Sequence, residues 1–110
     1  MSSERRRSTR IEILGRLHGR VVSLDVPVRV REISLGGMAI ETAVSFPEGA
    51  VHDFRLTLGD GAHIVLRGQA RHCRNLAAEG QPPLYVTGFE FIDDDLGGSQ
   101  STVGHLIDKL

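Results

Sequence analysis

The segment Phe54-Arg55-Leu56-Thr57-Leu58-Gly59-Asp60-Gly61-Ala62-His63-Ile64-Val65-Leu66-Arg67-Gly68-Gln69-Ala70 decides how the chain folds. Phe54, Leu56 and Leu58 recur at every second residue, Gly59-Asp60-Gly61 interrupts, and Ile64, Leu66, Gly68 and Ala70 resume the same period. A period of two buries one face of an extended strand, and a glycine-rich break between two such runs makes a hairpin. The pattern continues in both directions. Toward the C-terminus, residues 75–83, ending in Pro82-Pro83, read as a loop, and Tyr85, Thr87, Phe89 and Phe91 form a last strand. Toward the N-terminus, Met38 and Ile40 begin a short strand closed by Pro47-Glu48-Gly49. Before it, Val22, Leu24, Val26, Val28 and Val30 alternate, with Arg29 and Arg31 on the other face. Pro27 inside that run marks an edge or a bulge, because proline has no N–H for a ladder. His18-Gly19 reads as a turn, preceded by Ile11, Ile13 and Leu17 around Gly15.

Six or so short strands joined by glycine turns predict a mainly β fold, an antiparallel sheet curled into a barrel or sandwich. Thirteen glycines suit the sharp corners that closure demands. The tail changes period: Val103, Leu106, Ile107 and Leu110 make one apolar stripe on a short α-helix over 100–110, with Ser99 or Ser101 as its cap. A helix that short needs a partner, so it is expected to lie across the open end of the barrel. Residues 1–10 have no apolar period and read as a flexible basic arm, leaving 11–110 as a single domain.

The chain of 110 residues has room for one core, and 40% hydrophobic with 25% charged residues is an ordinary globular balance. No apolar stretch approaches the roughly 20 residues that span a bilayer, and the polar start from Met1 to Arg10 has no secretory pattern. Cys73 is the single cysteine, which cannot make an internal disulfide and favours a cytoplasmic setting. The net charge of −1 hides an asymmetry: through Arg31 there are eight arginines against three acidic residues, and from Glu32 on five basic against eleven acidic. A polyanion would find a partner only at the front end. Twelve of the basic residues are arginine, whose planar fork of donors suits phosphate and guanine edges.

Catalytic and metal chemistry find little support. Ser34, in Ile33-Ser34-Leu35-Gly36, lacks the preceding glycine of a nucleophile elbow. Cys73 adjoins His72, but neighbours in a strand point to opposite faces, so the imidazole does not activate the thiol. The five histidines, His18, His52, His63, His72 and His105, are scattered singly, and Asp93-Asp94-Asp95 lacks the alternation of a calcium loop. Two features remain. One is the arginine pair Arg6 and Arg10, with Arg5 and Arg7 beside it. The other is Glu32-Ile33-Ser34-Leu35-Gly36-Gly37, in which Glu32 and Ser34 share a face and a double glycine permits positive φ and close approach to bare backbone.

Arg-x-x-x-Arg in an N-terminal arm, followed about twenty residues later by an acidic residue and x-Ser-x-x-Gly, resembles the PilZ family. Gly68-Gln69-Ala70-Arg71 and Val86-Thr87-Gly88-Phe89-Glu90-Phe91 are similar to further segments of that family. The resemblance runs from Arg5 into the C-terminal helix. It implies a six-stranded antiparallel β-barrel, no enzymatic activity, no cofactor, and cyclic di-GMP as ligand. It also implies that Arg6 and Arg10 are the principal clamps, with Glu32, Ser34 and Gly37 on the barrel and Arg5 and Arg7 as secondary contacts. Glu32 departs from the pattern, which usually has Asp or Asn there; the extra methylene keeps the acceptor oxygens but shifts their reach.

An arginine fork gives paired hydrogen bonds to guanine O6 and N7 or bridges phosphate oxygens. Glu32 would accept from guanine N1–H and N2, Ser34 would add a hydroxyl, and Gly37 would leave room for the ring. The arm has like charges and no apolar residue to bury, so ligand is expected to order it over the barrel and change the surface offered to a protein partner. A second reading is a degenerate module of the same fold that works through protein contacts alone. A third, a nucleic-acid binder using Arg29, Arg31, Arg71 and Arg74, is weakened by one tyrosine, four phenylalanines and no tryptophan for base stacking.

Overall fold

A computed structural model describes the backbone of 11–12 and residues 17–59, 61–92 and 107. Seven strands appear in chain order: β1 (Ile11–Glu12), β2 (His18–Val21), β3 (Val26–Ile33), β4 (Gly37–Thr42), β5 (Val51–Thr57), β6 (His63–Asn75) and β7 (Tyr85–Phe91). Every pairing is antiparallel. Following the neighbours β3-β2-β5-β6-β7-β4 and back to β3 closes a six-stranded ring, so the mainly β, six-stranded barrel is what forms. β1 pairs with β3 along the same edge as β2, Glu12 opposite Glu32 and His18 opposite Arg29, so it continues that side of the ring. Among the described residues, each of the six ring strands is paired on both sides, so the ring presents no open edge.

The hairpin read from Phe54 to Ala70 is present, with Phe54 opposite Leu66 and Thr57 opposite His63. Gly61, at φ 89°, and the bond from the Leu58 N–H to the Ala62 carbonyl at 2.8 Å close it. Its inward residues Phe54, Leu56 and Leu66 are essentially inaccessible and meet Val21, Val28, Val30, Ile33, Met38 and Ile40 in one core. Phe54 and Phe46 pack edge-on against Phe89, with ring centroids 4.7 and 5.2 Å apart. The buried hydroxyls have partners: Thr42 donates to the Val44 carbonyl at 2.6 Å and Thr87 to Cys73 Sγ at 3.2 Å. Ile107 is half-buried and packs against this core. The helix expected over 100–110, apart from Ile107, and the arm expected over 1–10 lie outside the described residues.

Two local expectations change. His18-Gly19 is not a turn but the start of β2, paired on both sides, and Gly19 is bare because the Arg55 carbonyl oxygen occupies the space of a side chain. The turn falls later, at 22–25, where Asp25 takes φ 54° and is held by Arg20 through its carbonyl and carboxylate at 3.0 Å. Val22 and Leu24 are therefore exposed and do not extend the alternation. Pro27 behaves as an edge residue. The Val30 N–H bonds the Leu17 carbonyl, so by parity the Pro27 nitrogen faces away from β2, and pairing with β4 begins only at Arg29.

Candidate functional site

Two β-bulges build the site. In β3, Val30 opposes Ile40 but Glu32 opposes Ala39, so Arg31 is an extra residue. In β6, Ala70 opposes Phe89 but His72 opposes Gly88, so Arg71 is extra. A one-residue insertion reverses which parity faces the core. Past the first bulge Ile33 turns inward and is buried, while Glu32 turns outward. Past the second, Cys73 points in toward Thr87, while His72 and Arg74 point out.

The outward residues align across four strands. One row runs Glu32, Ala39, Gly88, His72, and the next runs Arg29, Glu41, Val86, Arg74. At about 4.8 Å per strand, Glu32 and His72 stand about 14 Å apart. Between them the floor is Gly37, Ala39 and Gly88, too small to fill the gap. The result is an outer-face cleft of about 420 Å³, the size of a small-molecule site. Glu32 and Ser34 line one side, and Arg71, His72 and Arg74 line the other.

Ser34 forms the corner between β3 and β4. Its N–H bonds the Gly37 carbonyl at 2.9 Å, and its hydroxyl accepts from the Gly36 N–H at 3.3 Å and donates to the Gly37 carbonyl at 3.4 Å. Both hydroxyl bonds are long and easily exchanged. Among the described residues Gly49, Gly61 and Gly80 take positive φ and the double glycine does not; of the two uses it permits, close approach to bare backbone is the one realised, at Gly37. Gly37 is bare because the Phe89 carbonyl oxygen of β7 lies against its α-carbon, whereas nothing stands within 4 Å of a Gly36 side chain position. Gly37 thus serves barrel closure, and Gly36 is the open glycine at the cleft.

The charges are largely paired. Glu41 sits between Arg29 and Arg31, each at 3.7 Å, and Arg71 faces Glu90 at 3.6 Å. Of the arginines described, Arg55 and Arg74 have no ion pair, and of these two only Arg74 lines the cleft. The structure brings together Glu32, Ser34 and Gly37 from the sequence-predicted set. Arg5, Arg6, Arg7 and Arg10 lie outside the described residues. Sequence reasoning offered Arg74 only as a nucleic-acid contact and gave His72 no binding role, because the register that the Arg71 bulge imposes, setting both residues across the cleft from Glu32, has no local signature. Among the described residues no group of three His, Cys, Asp or Glu is placed to hold a metal, and no helix is long and apolar enough to cross a membrane.

A closed six-stranded barrel with a polar cleft on its outer wall defines a small binding module. The chain belongs to the PilZ family: the PilZ domain model matches residues 4–109. PilZ domains are non-catalytic modules that bind cyclic di-GMP (c-di-GMP). Among solved structures, it is similar to the PilZ domain with c-di-GMP of YcgR from Escherichia coli, with a TM-score of 0.71 and 17% identity, covering 96% of this chain and 91% of that one. YcgR from the same organism in complex with c-di-GMP matches with a TM-score of 0.68 and 16% identity, over 96% of this chain and 45% of that one. No curated protein sequence gives a significant match.

Proposed function

We propose that this domain is a c-di-GMP receptor whose arginine arm closes over the outer-face cleft when the nucleotide binds, changing the surface seen by a protein partner. The observation that carries the reading is the cleft itself, with the Glu32 and Ser34 side opposite a basic side and a bare floor between them. A guanine laid over Ala39 meets the Glu32 carboxylate, an acceptor for N1–H and the N2 amino group. Arg6 and Arg10 supply forks to phosphate or to the guanine O6/N7 edge, with Arg5 and Arg7 as secondary contacts. Each charge-assisted contact contributes about 1.5–3 kcal/mol net, so two clamps account for several orders of magnitude in affinity. The lone Cys73 thiol fits a reducing compartment, and we place the module in the cytoplasm.

Calorimetric titration of the full chain with c-di-GMP tests the reading. Saturable binding is expected, lost in Arg6→Ala and Arg10→Ala while the melting temperature of the free protein stays within a few degrees. Absence of binding at millimolar nucleotide overturns it in favour of a module that acts through protein contacts alone. A large loss of stability in either arginine variant places that residue in the fold and not in the clamp.

A further inference from the structure

The barrel site implied by the sequence motif lies on β3 and β4, yet the cleft has a second wall on β6. We infer that His72 and Arg74 are ligand contacts: Arg74 reaches a phosphate or the guanine O6/N7 edge, and the His72 imidazole is a platform against which the base stacks. The inference rests on the c-di-GMP reading above and extends it to residues outside the Arg-x-x-x-Arg and Ser-x-x-Gly segments.

Three observations support it. First, a β-bulge is spent on turning these side chains outward: without the extra Arg71, His72 and Arg74 would face the core. Second, Gly88 is shaped to the imidazole. A Cβ at Gly88 would lie 2.9 Å from His72 Cε1 and 3.0 Å from Nε2, so the ring tip reaches from β6 across to β7 and rests on the bare strand. The ring is thereby held over the cleft floor, in the row that leads through Ala39 to Glu32. Third, Arg74 is the cation of this wall left without an ion pair among the described residues. Arg71 has Glu90, and Glu41, next in the Arg74 row beyond Val86, is taken by Arg29 and Arg31. An arginine with no carboxylate of its own, on the rim of a cleft, is available to an anionic ligand. Aromatic residues are scarce in this chain, with none of its phenylalanines on β6, so the imidazole is the ring this wall offers to a purine.

The test is calorimetric titration with c-di-GMP of the full chain and of five variants: Arg74→Ala, His72→Ala, His72→Phe, Gly88→Ala and Glu32→Ala, with Arg55→Ala as a control for lost charge on the far side of the barrel. Each variant is first melted without ligand. Arg74→Ala is expected to weaken binding roughly ten- to a hundredfold, and His72→Ala roughly five- to fiftyfold. His72→Phe, which keeps a flat ring, is expected within about threefold of the parent. Gly88→Ala displaces the flexible ring tip and not a backbone, so it is expected to fold normally and bind more weakly. Arg74→Ala and His72→Ala binding within twofold of the parent, while Glu32→Ala fails, overturns the inference and leaves the c-di-GMP reading standing. His72→Phe as weak as His72→Ala, or Gly88→Ala binding like the parent, overturns the platform role. A parent chain that ignores the nucleotide overturns both readings.

Discussion

Replacing Gly37 by alanine, beside Gly36 by alanine, separates what the double glycine does for the fold from what it does for the site. At Gly37 the added methyl would collide with the Phe89 carbonyl oxygen and lie 3.4 Å from the Glu90 Cα, and both belong to the backbone of β7. That carbonyl cannot rotate aside as a side chain can, so β4 and β7 must part by about 1 Å to regain an ordinary separation near 3.5 Å. The parting loosens the bond from the Phe91 N–H to the Gly36 carbonyl, 2.9 Å, and the adjoining ladder bond at the Met38–Phe89 pair. Two backbone bonds weakened at about 1 kcal/mol each, with about 1–3 kcal/mol of overpacking strain, come to about 3–5 kcal/mol. Less chain entropy in the unfolded state returns about 0.4–1 kcal/mol, so the net loss is about 2–4 kcal/mol. At about 4–8 °C per kcal/mol for a domain this small, the melting temperature should fall by about 10–25 °C. Gly36 has open space around it and no positive φ, so Gly36→Ala should melt within a few degrees of the parent. Its methyl projects at the cleft and should weaken c-di-GMP instead. Thermal denaturation followed by circular dichroism, with calorimetry on the folded variants, reads both. A Gly37→Ala protein as stable as the parent, or a Gly36→Ala protein equally destabilised, refutes the assignment of one glycine to closure and the other to the cleft.

Three further outcomes follow from the same geometry. Phe54→Ala removes a fully buried ring packed on Phe89 and should cost about 3–5 kcal/mol, measured by urea unfolding. Asp53→Ala breaks a well-aligned contact to Arg67 at 2.8 Å, but with both side chains well exposed the loss should stay below about 1 kcal/mol. Cyclic di-AMP should compete with c-di-GMP about a hundredfold less well, because adenine has no N1–H and amino pair to donate to the Glu32 carboxylate; equal competition would remove Glu32 from base recognition.

Much of the barrel could be read from period alone. The strands from Phe54 to Ala70 and from Tyr85 to Phe91 alternate without interruption on their inward faces, so composition and spacing carry them. The N-terminal strands were less transparent. Val22 and Leu24 continue the valine alternation, and nothing in their chemistry opposes a strand. The turn is set instead by Asp25, which tolerates the left-handed region, and by an Arg20 clasp that exists only once β2 and β3 are paired. Gly19 and Gly37 look like turn residues by type, yet each is glycine because a neighbouring strand's carbonyl stands where a side chain would be. The double glycine at 36–37 signals room for a close approach, but neither it nor Gly19 tells which distant strand makes it.

The cleft shows the same limit in its sharpest form. From Val30 onward strict alternation would bury Glu32 and expose Ile33, and from Ala70 onward it would bury His72 and Arg74 and expose Cys73. Each outcome would place an uncompensated polar or charged group in the core, at a cost of several kcal/mol. One extra residue on each strand avoids that: with Arg31 and Arg71 bulged, Ile33 and Cys73 turn inward and the polar side chains turn out. The energetic pressure to bulge is therefore present in the sequence, as a polar residue falling on the apolar parity of an otherwise regular strand. The partner is not: only the register Glu32–Ala39–Gly88–His72 shows that the two corrections lie in one row and face each other across a bare floor. Bulges that spare the core from charge here also set the two walls of the cleft, so folding and the shape of the proposed site are served by the same two insertions.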